Sequence, residues 1–181
     1  MKGVVFRKYP DFVAGSFEPE MIDDIIEDAN PSHGGAYTSV GTYPYTEVAT
    51  PVGDLGRRTG TPVPELPTLF GDHLRRRVVV KYSELSEGQT CLSLVLDSVD
   101  SHIHGEVHEL YPDAEPPVSR MARRGAHAIN FDYESRRPLE ALAAGTIRAA
   151  AEHFRQPVAI ATSRIEGPAG VGARFSIQHA A

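Results

Sequence analysis

Apolar residues recur at helical spacing through most of the chain up to about Gly125, and at strand spacing with one helix after it. Glu20 to Ala29 places Met21, Ile22, Ile25 and Ile26 on a helical stripe with acidic residues early, and Asn30-Pro31 stops it. Ser32 to Pro44 reads as a loop, with Gly34, Gly35 and Gly41. Between Tyr45 and Arg77 the pattern predicts two or three short helices, broken by Gly60-Thr61-Pro62 and strained by Pro51 and Pro67. The strongest helical pattern runs from Gly88 to Leu110, where Leu92, Leu96, Val99, Ile103, Val107 and Leu110 fall on one stripe. Such a helix is about 33 Å long. Tyr111-Pro112 ends it, because a residue before proline leaves the helical region.

From Ala126 to Arg137 the pattern changes to alternation, which puts Ile129, Phe131, Tyr133, Ser135 and Arg137 on one side of a strand. Pro138 suits the first turn of a helix reaching about Phe154, with Leu139, Leu142, Ile147, Ala150 and Phe154. Val158 to Ile165 and Val171 to Ile177 read as two strands joined through Gly167-Pro168-Ala169-Gly170. The chain is therefore expected to be α+β, helical first and β-α-β-β at its end.

Composition narrows the function. With 181 residues, 41% hydrophobic and 23% charged, the chain is an ordinary globular domain, one compact unit by default. A net charge of −6 disfavours nucleic acid and anionic lipid. The one basic run, Arg75-Arg76-Arg77, reads as a solvated face. Cys91 is the only cysteine, which excludes an internal disulfide and fits a reducing compartment. No apolar stretch has the length of a signal peptide core or a membrane span, so a cytoplasmic protein without membrane contact is expected.

Two constellations could carry chemistry. Three of the eight histidines, His102, His104 and His108, lie within seven residues of the strong helix. His104 and His108 form an i, i+4 pair able to share a metal, whereas His102 falls on the opposite flank. A zinc hydrolase would need a third ligand, and no His-Glu-x-x-His motif supplies it. The second constellation is Tyr133-x-Ser135-x-Arg137, two hydroxyls and a guanidinium fork suited to a carboxylate. No Gly-x-Ser-x-Gly elbow or phosphate loop is present, and enzymatic activity is not expected.

Together these constellations resemble the H-NOX family of haem nitric-oxide/oxygen-binding domains. The resemblance covers nearly the whole chain: Met1-Lys2-Gly3, Gly34 to Pro44, Phe70-Gly71-x-x-Leu74, His104 to Ala114 with Pro116-Pro117, and Tyr133-x-Ser135-x-Arg137. It implies a helical subdomain of about 1–65 and a haem-cradling part of about 66–181. The latter has a four-stranded antiparallel sheet, with haem b (iron protoporphyrin IX) between the two parts. By the same resemblance His104 is the proximal iron ligand, Tyr133, Ser135 and Arg137 bind the haem propionates, and Pro117 presses on the macrocycle.

The position of the distal tyrosine found in oxygen-binding members falls on Leu142, and Leu74 is also apolar, with Tyr9 the one nearby candidate donor. The resemblance thus implies a sensor that binds NO and CO at ferrous haem and excludes O2. Its signal would pass in trans to a histidine kinase, a diguanylate cyclase or a chemotaxis-type protein. The alternatives are an O2-binding or haem/gas-carrier protein and, more remotely, a zinc-dependent enzyme. The family also often continues with aromatic residues where this chain has Arg75-Arg76-Arg77-Val78-Val79-Val80, and Pro67 is expected to interrupt the helix before that segment.

Overall fold

A computed structural model describes residues 1–81, 90–125, 127–168 and 170–179, with no side-chain description for 76–81, 170 and 171. The expected helix start at Gly88, the strand start at Ala126 and the side chains of Arg76 and Arg77 lie outside the described residues. The chain divides into two compact units, Met1–Phe70 and Gly71–Ala181.

The first unit is helical: α1 (Gly3–Phe6), α2 (Lys8–Ser16), α3 (Met21–Ala29), α4 (Thr46–Thr59) and the start of α5 (Leu66–Lys81). Asn30 closes α3 in the left-handed conformation, φ 41°. Pro67 does not interrupt a helix as expected from sequence. It is the second residue of α5, where the amide it lacks has no helical partner to lose. Phe12 and Phe70 pack with ring centroids 5.2 Å apart, and Tyr9 meets Phe70 edge-on at 5.9 Å. The loop Ser32 to Pro44 folds back on the amino terminus, with Gly3 N–H donating to the Gly41 carbonyl at 2.8 Å. Gly3 is required there, because a Cβ would lie 1.9 Å from the Thr38 carbonyl oxygen.

The second unit carries an antiparallel sheet in the order β1-β2-β4-β3, built from β1 (Val118–Arg123), β2 (Ala128–Glu134), β3 (Val158–Gly167) and β4 (Gly170–His179). The sheet has the four strands the resemblance implies, and β1 is the one that periodicity does not reveal, since Val118-Ser119-Arg120-Met121-Ala122-Arg123 shows no clean apolar alternation. Its neighbours do alternate: Ile129, Phe131 and Tyr133 of β2 stand opposite Ile177, Phe175 and Ala173 of β4. All six are buried and join Leu92, Leu96 and Ile147 in one core. Each such large side chain contributes about 1.5–3 kcal/mol by leaving water. Helix α8 (Glu140–His153) supplies Ala144, Ile147, Ala150 and Ala151 to the same core.

The strong helical pattern of Gly88 to Leu110 is not one helix. It comprises α6 (Leu92–Ser98), a π-helical turn over Val99–Ile103, and α7 (His104–Leu110). A π turn takes an extra residue and shifts the phase of everything after it. Leu92 and Leu96 are therefore core, whereas Leu110, placed by unbroken periodicity on the same stripe, is 71% exposed.

Candidate functional site

His104 is the first residue of α7, immediately after the π turn. Its side chain is 17% exposed, against 59% for His102, which pairs with Glu106 at 3.3 Å, and His108 is exposed. Burial pulls the His104 pKa below that of a free imidazole, more strongly than the Asp100 carboxylate and the Pro117 backbone raise it. The ring is thus neutral at pH 7, as a metal ligand must be.

His104 Nδ1 is buried with no hydrogen-bond partner, and the nearest acid oxygen, Asp100 Oδ1, stands 3.8 Å away, too far for a hydrogen bond. That same oxygen accepts the Ser119 N–H at 3.1 Å. Asp100 thereby ties the π turn to the start of β1, two residues past Pro117. Sequence reading overlooked Asp100, although its i−4 relation to His104 was available.

The carboxylate-binding row is built differently from the expected strand face. Strand β2 ends at Glu134, so only Tyr133 is a strand residue, and Ser135 and Arg137 lie in the bend that follows. The Ser135 Oγ accepts the Arg137 N–H at 3.1 Å, which sets that bend. Tyr133 and Ser135 are buried, and burial raises the Tyr133 pKa, so its hydroxyl stays protonated. Arg137 already grips a carboxylate: Nη2 donates to Glu115 Oε2 at 2.9 Å and Nη1 to the Glu115 carbonyl at 3.1 Å. Arg136 reaches the other oxygen of the same carboxylate at 3.0 Å.

Leu142 is on the first turn of α8 and Leu74 on α5, both half-buried. Tyr9 belongs to the first unit, where its buried hydroxyl donates to the Pro51 carbonyl at 2.8 Å. The solvated reading of the basic run is corrected at Arg75, which is 7% exposed. Two surface clefts, of about 410 and 460 Å³, contain none of the residues expected to carry function. Among the described residues no cluster of three His, Cys, Asp or Glu side chains could hold a metal ion.

These residues fit a haem. A neutral imidazole whose Nδ1 lies toward a carboxylate leaves Nε2 for iron. A guanidinium that already binds one carboxylate, flanked by two hydroxyls, suits a propionate.

A family model described as Haem-NO-binding matches residues 2–162, which places the chain in a class of haem-based gas-binding sensor domains. The chain belongs to the H-NOX family. It is similar to the H-NOX protein of K. algicida in its unliganded Fe(II) state, at 29% identity over 100% of this chain and 97% of that one, with a TM-score of 0.88. Similarity to the H-NOX of Shewanella woodyi, in the Fe(II)CO state with IWP-051 bound, is 31% identity over 99% and 95% with a TM-score of 0.83. The S. oneidensis H-NOX in the Fe(II)NO state shares the fold at 22% identity over the full length of both chains, with a TM-score of 0.88. No curated protein matches the chain. Among the described residues no helix is long and apolar enough to cross a membrane.

Proposed function

We propose that this chain is a haem-based nitric oxide sensor. It holds haem b through His104, binds NO and CO in the ferrous state, forms no stable O2 complex, and signals in trans from the cytoplasm without catalytic activity of its own. The observation that carries this reading is the largely buried imidazole of His104, its Nδ1 without a hydrogen-bond partner, in the same unit as the Tyr133, Ser135 and Arg137 set. Similarity to proteins described in NO- and CO-bound states supports the gas ligands.

Haem, when bound, would supply the iron that takes the gas, with His104 as its protein ligand. The residues of the chain supply the coupling of that site to the rest of the fold. His104 opens α7 directly after the π turn, which puts the residue that would hold the iron at the point where the helix changes type. Asp100 links the same turn to Ser119, so a shift there reaches β1 and the segment of Pro117. Tyr133, Ser135 and Arg137 orient the propionates. The side chains of Leu142 and Leu74 carry no hydrogen-bond donor, and the Tyr9 hydroxyl donates to the Pro51 carbonyl. The partner is a histidine kinase, a diguanylate cyclase or a chemotaxis-type protein.

The test is the ferrous absorption spectrum under argon, in air and with NO, followed by the activity of a partner kinase with the gas-free and NO-loaded protein. A five-coordinate spectrum unchanged by air and shifted by NO, with altered kinase activity, is expected. A stable O2 complex overturns the selectivity, no effect on any partner overturns the signalling, and no Soret band overturns the haem reading itself.

A further inference from the structure

Arg75 has no part in the function proposed above. Its side chain is 7% exposed, and neither Nε nor Nη2 has a hydrogen-bond partner. Among the described residues no carboxylate pairs with it, and burial alone lowers its pKa. A guanidinium buried without a counter-charge is among the most costly arrangements a protein can hold.

Its place in the fold is well defined. A Cβ at Gly71 would lie 2.1 Å from the Leu142 carbonyl oxygen, and the Thr146 hydroxyl, 3.0 Å from that same carbonyl, also stands 3.4 Å from the Gly71 carbonyl. That face of α5 therefore packs directly on the first turns of α8. Residues four apart share a helix face, so Arg75 continues the α8-facing side one turn beyond Gly71. Helix α8 begins three residues after Arg137.

The chemistry of the missing partner follows from charge. A neutral diatomic gas cannot compensate a buried cation, whereas a carboxylate can, and it fits the guanidinium fork. Haem b carries two carboxylates, and Arg137 already shares its fork with Glu115. Resting on the haem reading, we propose that Arg75 is a second propionate-binding residue, the buried counter-charge for a haem carboxylate.

The test measures equilibrium affinity for iron protoporphyrin IX and for its dimethyl ester, which lacks the charges, in the unaltered protein, Arg75→Met and Arg75→Lys. Arg75→Met should weaken iron protoporphyrin IX by about tenfold or more and leave the ester unchanged, and Arg75→Lys should recover part of the loss. Thermal midpoints give an independent readout. Arg75→Met should raise or keep the midpoint of the haem-free protein and lower that of the haem-loaded one, an inversion no purely structural role produces.

Equal loss for both haems, or a lower midpoint in both states, overturns the proposal. So does unchanged affinity with an altered ferrous C–O stretch or ferric fluoride affinity, which would put Arg75 beside the iron's exogenous ligand and away from the propionates. Should Arg75→Met fail to fold, an Arg75→Lys protein that discriminates the two haems no differently from the unaltered chain also overturns it. If the unaltered protein takes up neither haem, the haem reading falls first and this proposal with it.

Discussion

Buried polar side chains are matched within the chain in Met1–Phe70, whereas in Gly71–Ala181 several are not. In the first unit Tyr9 donates to Pro51, Tyr37 donates to Glu47 at 2.9 Å, and Asp54 accepts from Arg57 and Arg58, with Arg58 reaching on to Asp24 and Asp28. In the second unit His104 Nδ1, Arg75 Nε and Nη2 and Ser119 Oγ are buried without a hydrogen bond. An unmade buried hydrogen bond costs about 1–3 kcal/mol, so these atoms are a deficit the first unit does not carry. Buried polar groups in native proteins are nearly always satisfied, so each exception calls for an explanation. The first unit satisfies its buried polar groups itself, and the second leaves some of them unmatched.

That contrast can be broken by experiment, beginning with the largest effect. Phe175→Ala removes a ring at the centre of the sheet core and should cost about 3–5 kcal/mol in chemical denaturation of the haem-free protein. A loss under about 1 kcal/mol would show that the core is not where the packing puts it.

His104→Ala should cost the haem-free protein less than about 1 kcal/mol, because it deletes an unsatisfied group, yet it should abolish the five-coordinate ferrous spectrum. Asp54→Ala should do the opposite, lowering the midpoint of the haem-free protein and leaving the spectrum of the haem-loaded one alone. If both variants act alike, the contrast between the units is wrong.

A smaller effect concerns acid stability. Arg174 donates through Nε and Nη2 to the two Asp132 oxygens, each at 2.7 Å, and holds that carboxyl below the usual carboxylate range. A depressed folded pKa stabilises above the unfolded value of about 3.9, and the gain is lost as pH falls through the folded value. Midpoints between pH 6 and pH 3 should therefore fall less steeply in Asp132→Asn than in the unaltered chain. The smallest effect is at Glu115→Gln, which weakens the carboxylate that competes for Arg137 and should raise haem affinity a few-fold, read by haem titration. A fall in affinity would mean that Glu115 positions Arg137 for the propionate.

Much of this was legible without coordinates. The helix Met21–Ala29, the strands β3 and β4 and the α8 pattern follow from periodicity, because their apolar residues recur at the spacing of the element itself. Strand β1 was not legible, since its residues are ordered by pairing with β2 and not by an apolar face of their own. The π turn left no trace either, and it undid the stripe at Leu110. In the site, His104 and the Tyr-Ser-Arg motif could be found by resemblance, but the bend that sets Ser135 and Arg137 depends on where β2 stops. Arg75 was misread because three consecutive arginines describe a solvated run on average. The first is buried one turn beyond Gly71, whose lack of a side chain lets α5 settle on α8.

The central claim is that His104, and neither neighbouring histidine, is the iron ligand. Resonance Raman of the ferrous haem-loaded protein tests it most directly, through the iron–histidine stretching band in the unaltered chain and in His102→Ala, His104→Ala and His108→Ala. The account predicts that the band survives in the first and third variants, disappears in His104→Ala, and returns when imidazole is added. Persistence of the band in His104→Ala, or its loss in either of the others, would contradict it.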